Sequence, residues 1–135
     1  LASLCRPATS CNGSASTHSM QAVKQRGWGG RANLSVGVVP RPMPDKGCVL
    51  VRVAAVSIHR GDTHMLSGRP FIIRAAVGHR AVPGMDFAGT VEELGSNVDG
   101  LAAGDEVLGT ADTASGAFAE YVSVPSSFVV KVRPR

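Results

Sequence analysis

The residues best suited to chemistry in this chain stand together in Ile58–Gly68, IHRGDTHMLSG. His59, Asp62, Thr63 and His64 follow directly on an apolar run, the place where a rigid scaffold presents functional side chains. An imidazole can donate a hydrogen bond and carry a proton, so His59 and His64 are candidate catalytic residues for polarising or protonating an oxygen. A helical turn across the stretch puts His59, Asp62 and Thr63 on one side, three and four residues apart, and Gly68 closes it at C′. The competing expectation is structural. Either histidine serves equally well as a surface or capping residue, and Asp62 is better placed to fix the turn than to act as an acid.

The elements that must position these side chains are strands. Cys48–Ser57, CVLVRVAAVS, is β-branched and almost continuously apolar, the pattern of a strand covered on both faces. Met20–Gln25 and Leu34–Val39 precede it, separated by the turn Arg26-Gly27-Trp28-Gly29-Gly30; Trp28 is expected as a partly exposed anchor rather than a ligand platform. Pro40, Pro42 and Pro44 are expected to end ladder pairing after the second strand. Val82–Gly109 holds six glycines among short apolar runs. It predicts a strand over Met85–Leu94, a turn at Gly95-Ser96-Asn97, a second turn at Gly100–Asp105 and a short strand over Glu106–Leu108, together a β-meander. Ala117–Val124 and Phe128–Val132 are two further strands. Arg69–Arg80 is a connection, either a short helix or a mobile flap, and Ala111–Gly116 is a small-residue loop.

Composition narrows the function classes. The chain has 135 residues, one domain by length, and is 44% hydrophobic with 4% aromatic residues, so its core is built from Val, Ala, Leu and Ile. The net charge of +4 comes from the first 44 residues, which hold Arg6, Lys24, Arg26, Arg31 and Arg41 and no acid; the remainder carries nine basic and ten acidic side chains. There is no basic face with interleaved aromatics, and nucleic acid is not an expected partner. No apolar run approaches a membrane span. Cys5, Cys11 and Cys48 are odd in number and lack a C-x-x-C pair, which argues against a disulfide framework or a zinc site; Cys48 is expected as a buried thiol. No G-x-G-x-x-G cradle and no G-x-S-x-G elbow is present. Ser35, Ser57 and Ser123 have no paired base by spacing. Leu1–Ser19 is Ser/Thr-rich and acid-free, a disordered leader or the remnant of a transit peptide, with residues 20–135 as the folded domain. The compartment is cytoplasmic, or an organelle if the leader is a targeting segment.

Three motifs in order carry a resemblance. Pro83-Gly84-Met85-Asp86-Phe87-Ala88-Gly89-Thr90-Val91-Glu92, then Gly104-Asp105-Glu106-Val107-Leu108-Gly109, then Gly116-Ala117-Phe118-Ala119-Glu120-Tyr121-Val122 resemble the N-terminal domain of medium-chain dehydrogenase/reductases, from about Met20 to Lys131. The zinc-free quinone-oxidoreductase-like branch is the most similar. The resemblance implies a mainly β, GroES-like, partly open barrel with short helical turns and no Rossmann domain in this chain. It implies an NAD(P)H-dependent oxidoreductase that passes hydride to a small-molecule quinone or activated carbonyl, with NADPH or NADH bound mainly by the absent domain. This chain alone would be inactive, and the full-length protein could form a homodimer. By position, His59 matches an Asn that lines the nicotinamide and substrate cleft in zinc-free relatives, and His64 matches a Tyr. His59 and Asp62 are thereby cofactor-binding candidates, and Thr63, Gly84, Met85 and Asp86 line the substrate cleft. Zinc relatives carry a Cys where His59 stands and a His where Met85 stands. No metal is therefore expected, a thioether being a poor zinc ligand. The rival expectations are a stand-alone β-barrel binding module and, more weakly, a fragment of a zinc alcohol dehydrogenase.

Overall fold

The computed structural model describes residues 15–72, 74, 82–111 and 116–132. Among the described residues, seven strands and one α-helix, besides two short 3-10 turns, follow in the order β1 Ala15–Gln25, β2 Leu34–Pro42, β3 Cys48–Val56, α1 Arg60–Ser67, β4 Asp86–Leu94, β5 Glu106–Thr110, β6 Tyr121–Pro125 and β7 Val129–Lys131. β1 and β2 form an antiparallel ribbon, and the others form one antiparallel sheet in the order β6-β3-β4-β5-β7. The two sheets do not close on each other. Residues 117–120 join them: Val23 N–H donates to the Phe118 carbonyl at 2.8 Å, Glu120 N–H to Gln21 at 3.1 Å, and Val53 N–H to Glu120 at 2.9 Å.

The core is small-branched, as the scarcity of aromatics requires. Val49, Val51, Phe87, Val91, Val107, Val122, Val124 and Val129 pack together with Ala111 and Ala117. Period-two alternation turns Phe87, Gly89 and Val91 of β4 inward. Each buried valine contributes on the order of 1.5 kcal/mol or more through apolar area removed from water.

Several expectations are corrected. β1 begins at Ala15, five residues before Met20. β2 continues through Pro42, because among the described residues it pairs with β1 alone and a sheet-edge strand tolerates proline. The last part of the 117–124 segment forms β6; its first part makes an isolated bridge, Ala22 to Ala119. β3 is covered on both faces only over Cys48–Val51, where Leu50 and its partner Ser123 are as buried as Val49. Beyond Arg52 the strand is exposed or half-buried despite its apolar residues. Cys48 is buried but disulfide-bonded, not a thiol; an odd cysteine count leaves room for one pair. Most of Arg69–Arg80, the body of the 111–116 loop and the first fourteen residues lie outside the described residues.

The β5–β7 edge carries an acid-sensitive clasp. Lys131 Nζ lies 2.6 Å from Asp105 Oδ1, and Ala102 N–H donates to Oδ2 at 2.9 Å. The lysine hydrogen bond, then the backbone one, hold the Asp105 carboxyl below the usual carboxylate range. A depressed folded-state pKa means that the clasp stabilises fully above the unfolded value of about 3.9 and is lost as pH falls through the folded value. Lys131→Met should therefore lower Tm at pH 7 and leave it unchanged at the acid end, as checked by thermal unfolding across pH. An equal loss at every pH would show that the ammonium acts through packing alone.

Candidate active site

β3 leaves the covered part of the sheet at Val53 and delivers Ser57, Ile58 and His59 to an open rim. Ser57 N–H donates to the Asp86 carbonyl at 3.3 Å, tying the strand's exit to the first residue of β4. The chain then enters α1 with His59 as its N-cap (φ −134°, ψ 177°). His59 Nδ1 accepts the Gly61 N–H at 2.9 Å, and Asp62 Oδ2 accepts the His59 N–H at 2.9 Å. This capping box satisfies amides that a helix start leaves unpaired. Gly68, the expected terminating glycine, ends the helix in the left-handed region at φ 64° as its C-cap.

Asp86 is aimed at the same rim by a pinned loop. Gly84 has φ 101°, which favours glycine, and a Cβ there would meet the Phe118 backbone nitrogen at 2.8 Å. Phe118 N–H bonds the Pro83 carbonyl at 3.0 Å, Ala117 N–H bonds Gly84 at 3.2 Å, and Ala111 N–H bonds Met85 at 2.5 Å. The loop cannot shift without breaking these three bonds.

The result is a cluster of four polar side chains. Asp86 Oδ2 accepts from Ser57 Oγ at 3.2 Å and lies 3.4 Å from His59 Nε2. Asp62 Oδ2 lies 3.9 Å from the same Nε2. The side chains of His59 and Asp86 are 40% and 49% exposed, whereas that of Asp62 is 2% exposed, so ring and outer carboxylate face an opening while the inner carboxylate is structural. Asp62 Oδ1 is buried and has no hydrogen-bond partner among the described residues. Beside the cluster in the chain, an open apolar cavity of about 370 Å³ is lined by Val23, Val53, Val56, Ile58, Ala117 and Phe118. Ile58, the neighbour of His59 in the chain, is part of that wall, and an apolar pocket of this kind suits a flat, uncharged ring.

The sequence candidates separate accordingly. His59, Asp62 and Asp86 come together. Gly84 and Met85 position Asp86. Thr63 is exposed one residue beyond the capping box. His64 sits in the last turn of α1, where Nδ1 lies 3.0 Å from the Arg69 carbonyl. Ser57 was passed over because its partner, Asp86, is remote in sequence, and Gly61 because its role is spatial. The half-exposed apolar end of β3 carried the missing signal: alternation fails there, yet the residues remain aliphatic. Behind the helix, Arg74 lies over the rings of Trp28 at 5.6 Å and Phe71 at 4.8 Å, and Trp28 is half-buried.

Comparison with known proteins agrees with this architecture. Residues 45–134 match the alcohol dehydrogenase GroES-like domain. The chain is 37% identical over 118 residues to a trans-enoyl reductase, BOA5, of Botryotinia fuckeliana, covering 84% of this chain and 28% of that protein. It is 36% identical over 106 residues to the chloroplastic quinone-oxidoreductase QR1 of Triphysaria versicolor, covering 76% and 31%. Among solved structures, the quinone oxidoreductase from Coxiella burnetii superposes with a TM-score of 0.76 at 28% identity, covering 84% of this chain and 37% of that one. A mycobacterial protein solved in complex with NADPH superposes with a TM-score of 0.68 at 28% identity, covering 84% and 32%. The chain thus spans about a third of the length of these relatives. The family match over residues 45–134 and the superpositions on solved structures agree: the chain belongs to the alcohol dehydrogenase GroES-like domain family, the N-terminal domain of medium-chain dehydrogenase/reductases.

Proposed function

We propose that this chain is the substrate-side domain of a zinc-independent, NAD(P)H-dependent oxidoreductase that reduces a quinone or an activated carbonyl, with the dinucleotide held mainly by residues outside it. The single observation that carries the proposal is the half-exposed His59 imidazole, grouped with Ser57 and Asp86 and one residue along the chain from Ile58 in the wall of an apolar cavity. Reduction of a carbonyl or quinone places negative charge on oxygen, and a fixed N–H or O–H donor lowers that barrier. His59 Nε2 and Ser57 Oγ are such donors, held near one Asp86 oxygen by long contacts of 3.4 and 3.2 Å that an entering oxygen can replace. The nicotinamide, when bound, supplies the hydride; the chain's own residues supply the wall, the donors and exclusion of water. The trans-enoyl reductase relatives extend the acceptor class to conjugated enoyl groups. His59 and Met85 stand where zinc relatives carry a Cys and a His, which favours a mechanism without zinc. The acid-free, Ser/Thr-rich composition of residues 1–19 and the chloroplastic name of the Triphysaria relative support an organelle as the compartment, with the cytoplasm as the alternative.

The test uses the complete protein. NADPH and NADH oxidation is followed with a benzoquinone, a conjugated enone and a saturated ketone, before and after metal chelation. Turnover of the quinone or enone that survives chelation is expected. Turnover confined to the saturated ketone, or abolished by chelation and restored by zinc, would replace the proposal with a zinc alcohol dehydrogenase. Binding of these compounds with no turnover by either dinucleotide would favour a non-catalytic module.

A further inference from the structure

His59 does two jobs with one ring. Nδ1 accepts the Gly61 N–H, so the cap needs that nitrogen unprotonated. Nε2 faces the carboxylates of Asp86 and Asp62 at 3.4 and 3.9 Å, and both favour a proton there. The two demands agree, and together they select the Nε2–H tautomer. Gly61 makes the arrangement sterically feasible: a Cβ at that position would lie 2.6 Å from His59 Cε1 and 2.8 Å from Nδ1. Asp62, buried and holding the His59 backbone N–H, fixes the other side of the cap.

We propose that His59 is a bifunctional helix cap, its Nδ1 committed inward to α1 and its Nε2–H presented outward as a neutral donor to the oxygen of an uncharged acceptor, with Gly61 as its positioning residue. The proposal deepens the oxidoreductase reading and rests on it for the identity of the ligand. The Asp86 carboxylate 3.4 Å from the donor repels anions, so quinones and enones are accepted and keto acids are not.

Asparagine offers the same pair of groups, a carbonyl oxygen that caps well and an outward amide N–H. Aspartate caps equally well but offers no donor. Alanine offers neither. In the complete enzyme, His59→Asn should therefore retain kcat/KM within about tenfold, whereas His59→Asp and His59→Ala should lose about 100-fold or more, the loss typical of one oxyanion donor. Gly61→Ala should leave Tm nearly unchanged, because the lost cap and the gain in helix propensity are of similar size. Its kcat should nevertheless fall like that of His59→Ala, since the ring is pushed from its seat. Independently of turnover, nitrogen-15 NMR of the His59 ring is expected to show the Nε2–H tautomer at pH 8. An Nδ1–H tautomer, or His59→Asn as inactive as His59→Asp, would overturn the proposal while leaving the oxidoreductase reading intact. A wild-type enzyme that transfers no hydride to any acceptor would overturn that reading, and the ligand half of this proposal with it.

Discussion

Gly89→Ala is expected to destabilise the domain by about 3 kcal/mol, at the upper end of the usual cost of overpacking, and to lower Tm by about 10 °C or more. Gly89 sits in the middle of β4, buried, paired with Val53 on one side and Val107 on the other. A methyl group there would drive into the Arg52 carbonyl oxygen and lie 2.8 Å from Val51 Cγ1. The main obstacle is the backbone of the neighbouring strand, which no rotamer change relieves. β3 and β4 would have to separate where their pairing shifts register, between Val53 and Ala55, and Val51 would lose its packing. Gly100→Ala is the control. Its φ of 78° strains any side chain, but no atom lies within 4 Å of the added Cβ, so the cost is the left-handed penalty alone, about 1–2 kcal/mol. Urea unfolding of the two variants should rank them in that order. Equal losses would mean that the β3–β4 spacing has slack that the contact distances do not suggest.

Much of this architecture was legible in the residues, for identifiable reasons. The strands β3, β4, β5 and β7 were each foreseen to within two residues at either end, because Cys48–Val51 and Phe87–Val91 carry apolar patterns that only buried strands explain, and because Asn97, Gly100 and Gly104 supply the positive φ angles of the turns between them. The helix at Arg60–Ser67 announced itself through Asp62 and Gly68, a first-turn acid and an αL stop. What was not legible is non-local. Ser57 meets Asp86 across 29 residues, and no spacing rule links them. The prolines of β2 were misjudged because their tolerance depends on whether the strand has a second neighbour, which is a property of the sheet and not of the strand. The exposed second half of β3 looked like core because aliphatic composition does not distinguish a packed face from the wall of an open cavity.

Asp62 yields the second large effect, with a contrast between two variants as its signature. Asp62→Ala should cost about 2–3 kcal/mol. It strands the part-buried His59 N–H without its 2.9 Å acceptor, where a fully buried donor would lose about 1–3 kcal/mol, and it removes half of the capping box, for which about 1 kcal/mol is typical. These overlap, since both describe the same broken bond, and the total stays near the larger figure. Asp62→Asn keeps the volume and a carbonyl oxygen for the His59 N–H, and it removes a buried charge whose second oxygen has no partner among the described residues. Burying a carboxylate so incompletely paired is unfavourable, whereas its attraction to the helix start returns only about 0.3–1 kcal/mol. The amide should therefore fall within about 1 kcal/mol of the native protein, by the same opposing effects. Chemical unfolding of both variants decides between two roles for this side chain. If Asn behaves like Asp, the residue is an acceptor that locks the entry angle of α1 and, through it, the seat of the His59 ring. If Asn is as damaging as Ala, the negative charge itself is required, and Asp62 then acts on the Nε2 proton of His59 across 3.9 Å rather than on the backbone that carries it.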